Sequence, residues 1–267
     1  MSILFVGGGN MAAALIGGLV SHGQALSDIA VVEVNEATAA QLGARWGIRV
    51  YAAVPADLGG ASTVVLAVKP QQMTELLGHF PPLPTEALLV SIVAGWTTSR
   101  LSAGLKGHAN LVRAMPNTPA LIQAGVTGLF ALPGVSEEDR ARVQALMHAV
   151  GSVHWLTRES QMDAVTALSG SGPAYVFYLM EILHQAALDL DLPADMARAL
   201  VQEMVRGAAL LACSEKDAPA QLRRRVTSPG GTTEAALRVL EEGAWAQVLE
   251  QAVQAAAQRS RELEGVV

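Results

Sequence analysis

The chain begins with a short apolar run that leads directly into three consecutive glycines. Ser2–Val6 is followed by Gly7–Gly9 and then by apolar residues at helical spacing, and a second apolar run ends on Glu33. A strand, a glycine turn, a helix and a second strand with an acidic tip form the dinucleotide-binding fingerprint, in which N–H groups at the helix start hold a pyrophosphate. This order predicts a nicotinamide cofactor, bound through Gly7, Gly9, Asn10 and Met11.

The glycines alone are weak support for such a site, because any tight strand-to-helix turn can use them for positive φ and close backbone approach. The segment after the turn strengthens the prediction, since Met11, Leu15 and Leu19 share one helical face. Ala12 takes the place of the third glycine, a replacement that still lets the helix pack closely on the strand.

Glu33 predicts which dinucleotide is bound. A carboxylate at this strand tip accepts hydrogen bonds from the ribose 2′-hydroxyl of NAD and repels a 2′-phosphate, whereas NADP sites usually place an arginine nearby. Val34 and Asn35 follow, and the next arginine is Arg45. We therefore expect NADH to be favoured over NADPH. The alternative is that Glu33 only points into solvent.

Composition excludes several other classes of protein. Hydrophobic residues make up 51% of the chain, but no apolar run approaches the ~18–20 residues of a bilayer span, and the start lacks the basic region of a signal peptide. The single Cys213 excludes an internal disulfide, and the six histidines lack metal-ligand spacing. A net charge of −6, with Arg223–Arg225 as the only basic run, argues against nucleic acid. We expect a soluble, cytoplasmic enzyme without metal, membrane or nucleic-acid partners.

The first part of the chain alternates β-rich runs with helical stretches. This alternation predicts a Rossmann-type, doubly wound α/β domain over residues 1–158, with a mostly parallel sheet and helices on both faces. The predicted strands are Ile3–Val6, Ile29–Glu33, Ile48–Tyr51, Thr63–Val68, Ala87–Val93, Asn110–Ala114, Val126–Ala131 and Val153–Leu156. The helices between them include Glu36–Arg45, Gln71–Leu77 and Glu137–Val150.

Residues 159–267 contain no convincing strand and predict an all-α domain. Ala174–Leu190 is apolar on almost every side of a helix, and Ala194–Cys213 continues the helical spacing of apolar residues. Thr232–Glu262 is rich in alanine and leucine, with a break in the helical pattern at Gly243. A helix that is apolar on every side needs burial on every side, which a domain of this size can hardly supply alone. We therefore expect these helices to pack against a second subunit; a wholly intramolecular bundle is the alternative.

Three motifs close predicted strands, where open parallel sheets bind their ligands. They are Ala67–Pro70, Val93–Gly95 and Arg113–Pro119. Lys69 falls where a cation would meet a cofactor ribose or phosphate, although it is equally consistent with an ordinary surface charge. Asn117 or Thr118 can cap a helix that opens at Pro119. The cofactor-binding candidates from these motifs are Val68, Lys69, Pro70, Ala94, Gly95, Asn117 and Thr118.

Two further segments, Leu168–Tyr175 and Val226–Glu234, are rich in glycine and hydroxyl residues. Each is predicted to be a turn that leads into a helix. Glycines expose backbone N–H groups, the helix dipole favours an anion, and hydroxyls add donors without charge. Such turns can hold a carboxylate; simple helix capping is the alternative.

Five motifs together resemble the pyrroline-5-carboxylate reductases. They are GGGNMA at 7–12, AVKP at 67–70, RAMPNTP at 113–119, LSGSGPAYVF at 168–177 and VTSPGGTTEAALRVLE at 226–241, in order along essentially the whole chain. The resemblance implies NAD(P)H-dependent reduction of Δ1-pyrroline-5-carboxylate to L-proline, the last step of proline biosynthesis. It also implies a nucleotide-binding domain followed by a helical dimerisation domain, with interlocked homodimers that often assemble into larger rings, here a possible decamer.

The resemblance also assigns site residues by matching position. Lys69, Asn117 and Thr118 are expected along the cofactor, and Thr233 is expected to bond the ring nitrogen of the substrate. The other expected substrate contacts are Ser171 and the backbone N–H groups of Gly230, Gly231 and Thr232. Many family members carry small polar or basic residues where this chain has Glu33, so the expectation of NADH is specific to this chain.

The chemistry needs little from charged side chains. A protonated cyclic imine is already a strong electrophile, so the protein chiefly positions it beside the nicotinamide. Thr233, which orients or relays the proton on nitrogen, is the predicted catalytic residue. Two alternatives are a dinucleotide-binding sensor without turnover and a β-hydroxyacid dehydrogenase. The latter family places a lysine base on the helix after its glycine-rich turn, where residues 172–177 have none.

Overall fold

The computed structural model describes the backbone of residues 2–266 and the side chains of residues 2–264. Eight strands form its sheet: β1 (Ile3–Val6), β2 (Ile29–Val32), β3 (Arg49–Tyr51), β4 (Thr63–Leu66), β5 (Leu88–Ser91), β6 (Leu111–Met115), β7 (Gly125–Ala131) and β8 (Gly151–Trp155). Their order is β3-β2-β1-β4-β5-β6-β7-β8, and β6–β7 is the antiparallel pair in an otherwise parallel sheet. The predicted mostly parallel α/β fold is confirmed.

The central strands are buried on both faces, which is why they are apolar at nearly every position. In β1, Ile3 and Phe5 belong to one hydrophobic cluster, whereas Leu4 belongs to a second one on the other face. This is the period of two expected for a strand. Leu15 packs in the first cluster and Leu101 in the second, so helices cover both faces of the sheet.

The helices follow the predicted order, with a break near Gly243. They are α1 (Asn10–Ser21), α2 (Glu36–Trp46), α3 (Met73–Gly78), α4 (Thr98–Gly104), α5 (Glu137–His148), α6 (Met162–Val165), α7 (Gly172–Asp189), α8 (Ala194–Ser214), α9 (Pro219–Arg225), α10 (Thr232–Glu242) and α11 (Trp245–Val266). None of the helices in the described part of the chain combines the length and apolar character that a bilayer span requires.

The segment before α7 corrects one prediction. Leu168–Tyr175 is not a turn, because α6 continues into a π-helical turn at Thr166–Gly170 and only Ser171 is bent before α7 begins. The backbone N–H of Ser171 donates to the carbonyl of Thr166 at 2.8 Å, the five-residue hydrogen bond of a π-helix. Glycine and serine at these positions therefore belong to a helical insertion, a feature often found at functional sites.

The described chain divides into two compact units. One extends through Ser171 and includes the chain from Ala256 onward; the other is Gly172–Ala255. The predicted domains, 1–158 and 159–267, also contain Met1 and Val267, which lie outside the described residues.

In the second unit, Phe177 is 63% exposed. Large apolar side chains of this unit are thus left uncovered, and the prediction of a second subunit accounts for them.

Candidate active site

The glycine turn after β1 fits a dinucleotide. Gly7 has a φ of +103°, and a Cβ at this position would lie 2.6 Å from the carbonyl oxygen of Ala67. A Cβ on Gly9, in contrast, would meet nothing within 4 Å. Gly9 is the N-cap residue of α1, and in the described part of the chain no side chain caps this helix start. The first N–H groups of α1, including those of Asn10 and Met11, are therefore available to an anion that approaches over Gly9.

Glu33 is held in place at the tip of β2. Its Oε2 accepts a hydrogen bond from the N–H of Gly8 at 2.9 Å, and its Oε1 accepts one from the N–H of Asn35 at 2.7 Å. These contacts favour the functional interpretation over a side chain that points freely into solvent. Each carboxylate oxygen keeps a second lone pair, which a ribose hydroxyl can use.

The loops after β4 and β5 meet at the same edge of the sheet. Lys69 is exposed and precedes a 3₁₀ turn that starts at Pro70. The indole N–H of Trp96 donates to the carbonyl of Pro70 at 3.2 Å, which ties the two loops together. Gly95 has a φ of +75°, and a Cβ there would contact Leu263 at 3.3 Å. Val68 and Ala94 are half-buried beside these residues.

Asn117 has a different role from the predicted cap. A 3₁₀ turn starts at Thr118, which is exposed, but the Asn117 side chain does not cap it. Instead, Asn117 Oδ1 accepts from the N–H of Val126 at 2.9 Å, and Nδ2 donates to the carbonyl of Ser169 at 3.0 Å. Because the residue is only 8% exposed, its amide forms these long-range bonds rather than a local cap.

The loop before α10 is a turn, as predicted, but two of its expected donors are already occupied. Gly230 has a φ of +69°, and its N–H donates to Glu234 Oε2 at 2.7 Å. The N–H of Gly231 donates to the carbonyl of Ser228 at 3.0 Å. The prediction that both groups face a ligand does not hold for this conformation, because the turn and the α10 side chain satisfy them. Thr232 and Thr233 remain as first-turn donors.

The structure places most candidates on one sheet edge. The residues of the glycine turn, Glu33, Val68–Pro70, Ala94–Gly95 and Asn117–Thr118 all follow the carboxyl ends of strands. Ser171 belongs to the same compact unit, whereas Gly230–Thr233 belong to the second unit. Among the described residues, no three His, Cys, Asp or Glu side chains are grouped to hold a metal ion.

Sequence reasoning missed a buried charge cluster around Arg113. This residue is 2% exposed, and its Nη1 donates to Glu159 Oε1 at 3.0 Å and to Glu264 Oε1 at 2.9 Å. Glu159 also accepts hydrogen bonds from the backbone N–H and the hydroxyl of Thr98. An arginine inside an otherwise apolar strand was the available signal. The cluster anchors the end of α11 to β6 within the first unit.

The side chains of the basic run Arg223–Arg225 are exposed. Arg225 pairs with Glu215 and Asp217, at 3.5 and 3.1 Å, and Arg223 lies 4.0 Å from Glu241. These partners are acidic residues of the same unit. The run is therefore a solvent-exposed face with its own acidic partners.

Comparison with known proteins identifies the family. Residues 159–263 match the model for pyrroline-5-carboxylate reductase dimerisation, and residues 2–95 match a model for NADP oxidoreductase coenzyme F420-dependent proteins. A pyrroline-5-carboxylate reductase from Pseudomonas aeruginosa is 43% identical over 262 residues, covering 98% of this chain and 96% of the relative. The chain belongs to the pyrroline-5-carboxylate reductase family. The resemblance inferred from the five motifs is thereby confirmed.

Solved structures agree with this assignment. A pyrroline-5-carboxylate reductase from Coxiella burnetii superposes with a TM-score of 0.89 at 39% identity, covering 98% of both chains. A Plasmodium falciparum pyrroline carboxylate reductase with NADP bound gives a TM-score of 0.87 at 26% identity, covering 99% of this chain and 98% of that one. The chain is thus a reductase of this family with an NAD(P)-binding domain and a dimerisation domain, and it forms a homo-oligomer.

Proposed function

We propose that this chain reduces Δ1-pyrroline-5-carboxylate to L-proline with a reduced nicotinamide dinucleotide. The observation that carries the proposal is the nearly full-length match to pyrroline-5-carboxylate reductases at about 40% identity. The open helix start at Gly9 supports it, because it leaves room and donors for a pyrophosphate. The test follows NADH consumption by the purified protein with pyrroline-5-carboxylate and, separately, NADH formation from NAD⁺ with 3-hydroxyacids. Turnover with hydroxyacids alone would overturn it in favour of the dehydrogenase alternative, and no turnover with either would favour the sensor.

The cofactor is proposed to lie along the carboxyl edge of the sheet. The N–H groups of Asn10 and Met11 would hold the pyrophosphate over Gly7 and Gly9. The edge residues Val68, Lys69, Pro70, Ala94, Gly95 and Thr118 would line the rest of the cofactor. Reduced nicotinamide, when bound, supplies the hydride that the imine carbon accepts.

A preference for NADH over NADPH is proposed from Glu33. Its carboxylate is fixed by the Gly8 and Asn35 N–H groups, so it cannot easily turn away from a 2′-phosphate. The structure of the Plasmodium falciparum relative has NADP bound, so the proposed preference differs from the cofactor seen in that relative. A kcat/KM with NADPH equal to or above that with NADH would contradict the proposal.

Ser171 and the residues at the start of α10, Gly230–Thr233, are the proposed substrate-binding residues. The N–H of Thr232 would donate to the substrate carboxylate, and the N–H groups of Gly230 and Gly231 would join it if the turn releases them from Glu234 and Ser228. The Thr233 hydroxyl would hold the proton on the ring nitrogen. Neutral donors suffice because the protonated imine carries its own activating charge.

The finer points of organisation are also part of the proposal. We infer a functional boundary at 158/159, a homodimer formed through the helical domain and assembly of such dimers into a decamer. The exposed apolar residues of α7 and α8 support the dimer, since they need a partner surface. A cytoplasmic location is proposed as well. Light scattering of the purified protein tests the oligomer, and a monomer at micromolar concentration would contradict it.

A further inference from the structure

Asn117 connects two motifs that are far apart in sequence. Its side chain follows β6 and is buried, with both polar atoms bonded to backbone: Val126 N–H on one side and the Ser169 carbonyl on the other. Ser169 lies in the π-helical turn that precedes Ser171. The two segments also touch directly, because a Cβ on Gly170 would come within 2.9 Å of Met115 Cε.

The sequence removes one backbone donor for the Ser169 carbonyl. Ser169 lies at the end of the π-helical turn, and where the α-helical pattern resumes in α7, the carbonyl of residue i accepts from the N–H of residue i+4, which for Ser169 is residue 173. Residue 173 is proline, which has no N–H. A carbonyl left without a partner in a partly buried place is costly, and the Asn117 amide donates to it at 3.0 Å. Asn117 thus supplies a hydrogen bond that the backbone of residue 173 cannot supply.

We propose that Asn117 is a positioning residue for the substrate rather than a side-chain ligand of the cofactor. By holding the Ser169 carbonyl, it fixes the end of the π-helical turn against β6 and so sets the position of Ser171. This inference rests on the proposed function, in which Ser171 contacts the substrate. Both side-chain atoms of Asn117 are already bonded to protein, so neither a cofactor contact nor a helix cap is needed to explain the residue.

The test is a double-mutant cycle between Asn117 and Pro173. We expect Asn117→Ala to raise the KM for pyrroline-5-carboxylate and the Kd for L-proline about 10- to 100-fold, the cost of misplacing a binding group, while the KM for NADH stays within about two-fold. Pro173→Ala alone is expected to be close to wild type. In Asn117→Ala/Pro173→Ala the restored N–H can bond Ser169, so most of the substrate affinity should return.

Asn110→Ala is the matched control. Asn110 precedes the opposite end of β6 and also bridges two elements, donating to the Glu86 carbonyl and to Asp139. Its loss should lower the melting temperature without changing the KM for the substrate. An equal rise of KM in this control, or a rise in the NADH KM of Asn117→Ala, would overturn the inference.

Two further outcomes are decisive. If the double variant binds substrate no better than Asn117→Ala, the inference that Asn117 supplies the hydrogen bond missing at Pro173 is wrong. If Asn117→Ala does not fold, recovery of folding in the double variant supports the inference and failure to recover rejects it. Wild-type turnover of pyrroline-5-carboxylate is measured first, so that its absence counts against the proposed function and not against the role of Asn117.

Discussion

Removing the guanidinium of Arg113 tests how the end of α11 is anchored. Breaking a buried ion pair from one side typically costs about 3–5 kcal/mol, because the remaining carboxylate stays desolvated without its partner. The Glu159 and Glu264 side chains are 22% and 26% exposed, and Glu159 keeps two hydrogen bonds from Thr98. Because of this exposure and these contacts, the loss of stability should be smaller, and for Arg113→Met we expect the lower end of that range, about 3 kcal/mol.

Urea and thermal unfolding measure this loss, at one fixed protein concentration because the chain is oligomeric. At roughly 2–4 °C per kcal/mol, the melting temperature should fall by about 6–12 °C. Arg142→Met is the matched control, since Arg142 pairs with Glu138 and Asp139 on the surface of α5 and should contribute less than about 1 kcal/mol.

A third variant separates lost charge pairing from lost packing. Arg113→Met combined with Glu159→Gln and Glu264→Gln leaves no unpaired charge, so it should regain a large part of the lost stability. If Arg113→Met costs no more than the Arg142 control, the cluster does not anchor α11 and the reasoning from burial fails.

Substitutions at four other positions, Thr233, Glu33, Gly7 and Gly9, test the proposed site. Thr233→Ala should lower kcat about 10- to 1000-fold, as expected for one proton-handling group, and Thr233→Ser should retain most turnover; unchanged turnover in the alanine variant would remove Thr233 from the mechanism. Glu33→Gln should raise kcat/KM for NADPH relative to NADH by about 10-fold or more, because it removes a charge facing the 2′-phosphate, and an unaltered ratio would contradict this. Gly7→Ala should lower the free energy of unfolding by about 1–3 kcal/mol, because Gly7 has a positive φ and a Cβ there would lie 2.6 Å from Ala67. Gly9→Ala should fold normally but raise the cofactor KM, and equal stability of the two variants would contradict the assigned roles.

Periodicity and turn chemistry were sufficient to predict the sheet. All eight apolar runs became strands, with ends shifted by at most two residues. In the central strands the reason is that a strand buried on both faces leaves a continuous apolar signal. The glycine turn could be predicted equally well, since Gly7 lies where only a residue without a Cβ fits against Ala67. These features depend on local sequence, and the tertiary structure reinforces them.

The sequence-based predictions fail where the structure of a residue depends on a contact with a residue far away in sequence. The Thr166–Gly170 segment has the composition of a turn, and nothing in its spacing shows that it forms a π-helical turn held by Asn117. Asn117 has the residue type of a helix cap, but burial directs its amide to Ser169 and Val126 instead. Arg113 stands out in the sequence only as part of a motif, and its ion pair with Glu264, which lies far along the chain, is visible only in the structure. Long-range pairing of this kind leaves no periodic signal in a single sequence.

The Glu234 contact bears on what the turn before α10 recognises. A carboxylate oxygen of this chain lies 2.7 Å from the Gly230 N–H, within the usual range of a charge-assisted hydrogen bond. Gly230 has a positive φ and donates this N–H to a carboxylate, and the proposed substrate carries the same group. The substrate therefore has two routes: it displaces Glu234 from Gly230, or it binds the Thr232 N–H beside an intact contact. In the second route two carboxylates would share one helix start, and their repulsion would weaken binding. In the first route the exposed Glu234 side chain can rotate into solvent, away from the substrate carboxylate, so the repulsion is lower and the electrostatics favour this exchange.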